Sequence, residues 1–141
     1  MTNAATPNAP VTSLRRAIRS TLLADATLVS QLGGPKVFDD TPSGTPAPYV
    51  VFADTQWRDW SATLSRGAEQ IFVLSVWSTQ RGVREALDIG ERVIALLDEA
   101  PLTLSGANLV DLRFVQLETK RDATGRFARA NLRFRATTEA S

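Results

Sequence analysis

The strongest pattern in the chain runs from Gln70 to Ala100, where the period of the apolar positions changes once. From Ile71 to Trp77 every residue but Ser75 is apolar, with β-branched and aromatic types prevailing. Such a run is a strand covered on both faces rather than one. Side chains alternate along a strand, so Phe72, Leu74 and Val76 point to one side and Ile71, Val73 and Trp77 to the other. Beyond Gly82, the residues Val83, Ala86, Leu87, Gly90, Val93, Ile94 and Leu97 recur at three and four with charged residues between them. This spacing predicts an amphipathic helix over about 83–99. The helix can cover one side of the strand, and a second copy of the chain is the candidate cover for the other.

Weaker patterns flank this unit. Thr12 or Ser13 can cap a helix over about 13–24, whose apolar face is Leu14, Ala17, Ile18, Thr21 and Leu22, with Arg15, Arg16 and Arg19 on its solvated side. Asp25 can cap a short second turn carrying Leu28, Val29 and Leu32, stopped by Gly33 and Gly34. A proline-rich loop over 35–48 holds at most a short extended piece at Val37 and Phe38. Pro48 then admits a strand at Tyr49–Ala53, because a residue without an N–H belongs at a strand's beginning. Asp54–Glu69, with Trp57, Trp60 and Leu64, reads as a second strand and a loop leading back to Gln70.

Pro101 ends the long helix. Two strands follow, Leu109–Lys120 and Arg126–Thr137, joined as a hairpin through Arg121-Asp122-Ala123-Thr124-Gly125 with Gly125 at its close. In the second of these, Ala128, Ala130, Leu132, Phe134 and Ala136 share one face, and Arg129, Asn131, Arg133 and Arg135 share the other. The predicted fold class is α+β, a mainly antiparallel β-sheet with two principal helices packed on it. Residues 13–138 form its single domain, behind a flexible arm at 1–12 and before a frayed end at 139–141.

Composition narrows the chemistry more than it suggests any. A chain of 141 residues can bury roughly two thirds of its unfolded surface and needs no staples. It has no cysteine and no histidine, which removes disulfides, thiolate nucleophiles, the commonest metal ligand and the commonest general base. The net charge of +1 supplies no general pull toward nucleic acid or membranes, and no apolar run is long enough to span a bilayer. The expectation is a soluble, intracellular product. Asp39 and Asp40 suit a loop turn better than a cation site, and nothing fixes a separation between Asp54 and Asp59. No catalytic residue, metal site or cofactor is predicted, and the chain reads as no enzyme.

Two features have the shape of an interaction surface. One is the basic stripe Arg129, Arg133 and Arg135, with Arg113 on the neighbouring strand. It can be a solvated sheet face, a site for acidic residues of a protein partner, or a face for nucleic acid. The other is apolar surplus in two places, at Trp57, Trp60 and Leu64 and at Ile71, Val73 and Trp77, where contacts between subunits or with partners are expected.

Taken in order, these pieces resemble the tail terminator (tail completion) proteins of long-tailed bacteriophages and gene transfer agents. The resemblance is carried by the helix from Leu14 to the Asp25 kink and by Ala47-Pro48-Tyr49-Val50-Val51-Phe52. It continues in Leu74-Ser75-Val76-Trp77-Ser78 leading through Gly82 into a helix, and in the Arg121-Asp122 to Gly125 hairpin ending in Arg133-Phe134-Arg135-Ala136. It implies a structural virion protein that forms a homo-hexameric ring on the tail tube, stops its polymerisation and joins it to the head neck. The implied partners are the tail tube protein, a head-neck stopper or connector and the DNA passing through the lumen. The implied location is the bacterial cytoplasm during assembly and then the head-proximal end of the tail. Another head-tail connector is the nearest alternative. A small nucleic-acid-binding module that uses Trp57, Trp60 and the Arg stripe is a more distant one.

Overall fold

A computed structural model describes residues 11–59, 67–79 and 83–140. In chain order the elements are α1 (Val11–Leu23), α2 (Ala26–Leu32), β1 (Val37–Phe38), β2 (Tyr49–Asp59), β3 (Gly67–Ser78), α3 (Arg84–Leu97), β4 (Ala107–Arg121) and β5 (Ala128–Ala140). The strands form one sheet in the order β1-β2-β3-β5-β4, antiparallel except for the two-residue parallel rung between β1 and β2. β3 therefore lies at the centre, where an almost wholly apolar sequence belongs. The α+β expectation holds, with α2 as a third, seven-residue helix.

One face of the sheet carries the helices. Phe72, Leu74 and Val76 of β3 meet Ala130, Leu132, Phe134 and Ala136 of β5 in a core closed by Leu14, Ile18, Leu22, Ile89, Val93 and Leu97. Ile89, absent from the predicted helix face, is buried, whereas Leu87 and Ile94 are half-buried. The apolar arc is thus rotated slightly toward Ile89. Across the sheet, Phe52, Phe72, Phe134 and Phe114 form a row of rings with successive centroids 6.5, 5.5 and 5.8 Å apart.

Bulges explain why the outer strands lack strict alternation. In β4 the inward residues Leu109, Leu112, Phe114 and Leu117 are spaced three, two and three apart, which a regular strand cannot bring to one face. Register shifts between Leu109 and Asp111 and between Phe114 and Gln116 absorb the extra residues, leaving Val110 and Val115 outside and exposed. β2 likewise shifts between Phe52 and Thr55, so the expected two strands over 49–69 are one bulged strand ending at Asp59.

The ends of the elements differ from expectation in three places. α1 begins at Val11, with Ser13 already helical and its hydroxyl accepting from the Ser105 N–H at 2.8 Å. Arg15 and Arg19 are not loosely solvated. Arg15 donates to Thr55 and Asp39 and lies over the Phe52 ring, and Arg19 donates to the Val37 carbonyl, so both fasten α1 to the sheet edge. β5 passes Thr137 and runs to Ala140, because β3 and β4 both extend far enough to pair with Glu139.

The junction at Asp25 follows the sequence closely. Its carboxylate accepts from the Leu28 N–H at 2.9 Å as the N-cap of α2, and Gly33 closes that helix at φ 76. A seven-residue helix has little stability of its own. The same carboxylate also receives two hydrogen bonds from Arg92 of α3, at 2.9 and 2.6 Å. The Arg92 hydrogen bond, helped by the Leu28 N–H, holds the Asp25 carboxyl below the ordinary carboxylate range. A depressed folded pKa contributes stability that is complete above the unfolded value and is lost as pH falls through the folded one. Asp25→Asn keeps a capping oxygen but removes the charge, whereas Asp25→Ala removes both. Thermal melts at neutral pH are expected to rank wild type above Asp25→Asn above Asp25→Ala. Both variants should show a shallower loss of stability than wild type between about pH 5 and pH 3. Equal melts for the two variants would mean that the cap contributes nothing.

Candidate interaction surface

The side of the sheet away from the helices carries Glu69, Ile71, Val73, Ser75 and Trp77 from β3. Beside them, in register, stand Arg129, Asn131, Arg133 and Arg135 of β5 and then Arg113, Gln116, Glu118 and Lys120 of β4. Arg129, Arg133 and Arg135 do share one face of the sheet, and Arg113 lies directly opposite Arg135. The members of this stripe are nevertheless in different states. Arg135 and Arg58 both bind the buried Glu69 carboxylate, and Arg113 pairs with Asp111 at 3.0 Å. The Arg135 hydrogen bond, with Arg58 adding to it, keeps the Glu69 carboxyl below the ordinary carboxylate range despite its burial. Arg129 lies with its guanidinium 4.8 Å from the centre of the Trp77 ring. Among the described residues only Arg133 of the stripe is both exposed and without an ionic or aromatic partner.

The expected need for outside cover on β3 is met in part by the chain itself. Val73 is 9% exposed and Ile71 and Trp77 are half-buried. The stems of the flanking arginines can lie along apolar neighbours while their heads reach water. Ser75 donates to the Asn131 side-chain oxygen at 2.7 Å directly across the strands, which satisfies both in the middle of the face. A shallow basin of about 410 Å³ remains there, bordered by Asp54, Val73, Glu118, Lys120, Arg129 and Arg133.

One corner of this face is aromatic. Phe38, Tyr49, Trp77 and Phe127 follow one another across the strands with centroid separations of 6.2, 6.4 and 6.2 Å. Sequence reasoning missed Phe38, Tyr49 and Phe127. The accessible signal was Phe127, a large apolar residue two positions after the hairpin glycine. Asp122 shapes this corner. Its carboxylate accepts from the Thr124 hydroxyl and from the Arg126 and Phe127 N–H groups, while Gly125 takes φ 72 to turn the chain.

The apolar candidates do not assemble into one patch. Trp57, 37% exposed, stands opposite Gln70 on the helix-bearing side and seven residues along β3 from the register of Trp77, a separation of roughly 23 Å. Trp60 and Leu64 fall outside the described residues.

Continuous pairing at the outer edge of β4 is also discouraged. Besides its two bulges, the Glu99 N–H donates to the Leu112 carbonyl and the Asp98 carboxylate accepts from the Phe114 N–H, which occupies the edge where another strand would add. Among the described residues no group of three acidic side chains is placed to hold a metal ion, and no helix is long and apolar enough to cross a membrane.

Comparison with known proteins points the same way. No curated protein matches the chain. A chain from the virion of a native gene transfer agent particle superposes with a TM-score of 0.86 at 32% identity, covering 94% of this chain and 98% of that one. The gp17 protein of bacteriophage SPP1 has the same fold, with a TM-score of 0.60 at 23% identity over 89% of this chain and 88% of that one. The family described as tail completion protein gp17 matches residues 16–139, nearly the whole of the sheet and helices described above. Over this coverage and identity, the chain belongs to the tail completion protein gp17 family, a family of structural, non-enzymatic virion proteins.

Proposed function

We propose that this tail completion protein is the terminator of its tail. Copies close into a ring, a hexamer on the family resemblance, that sits on the head-proximal end of the tube. The ring stops growth of the tube and presents its other side to the neck, with DNA passing through the lumen without specific contacts. The observation that supports this most is the one-sided architecture, a five-stranded sheet with helices on one face and a mixed apolar and charged face left bare. A cyclic ring requires two different patches on each subunit, and a layered subunit with unlike sides has them. Apolar area such as Trp77 and Phe127 is costly to leave wet, at roughly 25 cal/mol per Å².

A ring built on a tube end can draw much of its stability from that template, so the free protein need not be hexameric. The test pairs light scattering of the purified protein with cryo-microscopy of assembled tails. A closed hexamer of 15.3 kDa chains has a mass of about 92 kDa. The expected result is sixfold density for this chain at the head-proximal end of the tube. A protein that is monomeric in solution and forms no ring on tails is not a terminator.

A further inference from the structure

We infer that the corner where Trp77 meets the base of the β4–β5 hairpin is a socket for a carboxylate side chain of a partner protein in the assembled particle. The inference rests on the terminator reading for its setting and on the following geometry for its chemistry. A recess of about 120 Å³ opens between Trp77, Lys120, Arg121, Phe127 and Arg129, with Asp122 and Ala128 completing the wall. That is room for a few waters or for a carboxylate head. Its apolar side is the Trp77 and Phe127 pair, set edge to face, with Phe127 40% exposed. Its polar side is Lys120 and Arg129, directly opposite each other on this face, whereas Arg121 stands opposite Ala128 on the helix-bearing side and borders the recess only at its edge. Lys120 is exposed and Arg129 lies over the Trp77 ring, and neither makes an ion pair among the described residues.

The one acid in the wall, Asp122, is turned to the loop it closes and makes no ion pair with these cations among the described residues. Thr124 occupies one oxygen of Asp122, and the Arg126 and Phe127 N–H groups occupy the other. The Thr124 hydroxyl, with these N–H groups, holds the carboxyl below the ordinary carboxylate range. Lys120 and Arg129 therefore keep donors for a further acceptor. An incoming carboxylate would receive charge-assisted hydrogen bonds from Lys120 or Arg129 while its methylene stem lies on the Phe127 ring. A protein partner fits better than nucleic acid. The cations gather at one point rather than tracking a phosphate backbone, and Trp and Arg packed together are the composition of protein interface anchors.

The experiment uses the full chain with Lys120→Glu, at an exposed position. A circular dichroism melt first establishes that the variant folds. The neutral Lys120→Gln carries the same test if it does not. Complementation of particles lacking the protein is then scored by microscopy for rings seated on tubes and for tails joined to heads. The expected result is a fall in joined particles on the order of tenfold or more, together with second-site suppressors that remove an acidic residue from a tube or neck protein. Joined particles at the wild-type level would overturn the socket, as would suppressors confined to this chain. Salt-sensitive binding of a 20-base-pair duplex by the wild type but not by the variant would overturn it too, assigning the recess to phosphate. Failure of the terminator reading shows separately, as absence of the wild-type protein from tail ends.

Discussion

Phe134→Ala is expected to lower stability by about 3–5 kcal/mol, the range for truncating a fully buried aromatic residue. Phe134 is completely buried at the centre of the sheet. Its ring lies nearly parallel to Phe72 at 5.5 Å, with an interplanar angle of 16°, and meets Phe114 at 5.8 Å and 69°. These are the directly opposed residues on β3 and β4, so truncation leaves a hole bounded by strands on both sides. Backbones held by ladder hydrogen bonds on either side cannot close it by moving together, which places the cost toward the upper end for this kind of substitution. A domain of this size has roughly 5–15 kcal/mol in total, and the thermal midpoint should fall by roughly 10 °C or more. Urea titration and a thermal melt check this. A loss below about 1 kcal/mol would mean that the aromatic row is not the keystone of the core.

The second large effect separates two arginines of one stripe. From sequence, Arg133 and Arg135 stand on the same face and invite a common charge reversal. In the structure Arg135 is bound to Glu69, whose side chain is only 10% exposed, while Arg133 projects into water without an ion pair among the described residues. Arg135→Glu puts a second carboxylate against a buried one and leaves Arg58 as the ion-pair partner of Glu69 among the described residues. Arg133→Glu changes a surface charge and is expected to stay within about 0.5 kcal/mol of wild type. The Arg135→Glu melt should therefore fall well below that of Arg133→Glu at neutral pH and recover part of the difference as the carboxylates protonate in acid. Indistinguishable melts would show that the Glu69 contacts do not hold the folded state. The consequence for function is direct: loss of assembly in Arg135→Glu reports folding, and only Arg133→Glu reports contact.

Local signals were legible wherever one residue and its near neighbours decide the conformation. The Asp25 cap, the Gly33 stop, the α3 periodicity and the Asp122 to Gly125 turn are such cases, because each rests on backbone groups within a few positions. The two faces of β5 were legible for the same reason, since alternation is a property of any regular strand. The candidate surface was legible only in part. Its arginines and Trp77 could be named, but the Phe38, Tyr49 and Phe127 that complete the aromatic corner come from three other segments, and no local pattern ties them to residue 77.

By itself, the sequence determined the composition of each face and excluded whole classes of chemistry. Without histidine or cysteine there is no imidazole or thiolate chemistry, and the one two-sided apolar strand marks the centre of a sheet. Tertiary structure alone decided which charges are free. Whether Arg133 or Arg135 is available depends on Glu69, more than sixty positions away, and on the Arg58 that only the β2–β3 pairing brings beside it. It also decided the true register of β2 and β4, whose bulges sit where inward residues must meet a fixed core. The physical reason is the same in both. Strand register and ion pairing are settled by contacts between distant segments, where one residue of slip exchanges the buried face for the wet one, and no window of neighbouring residues contains that information.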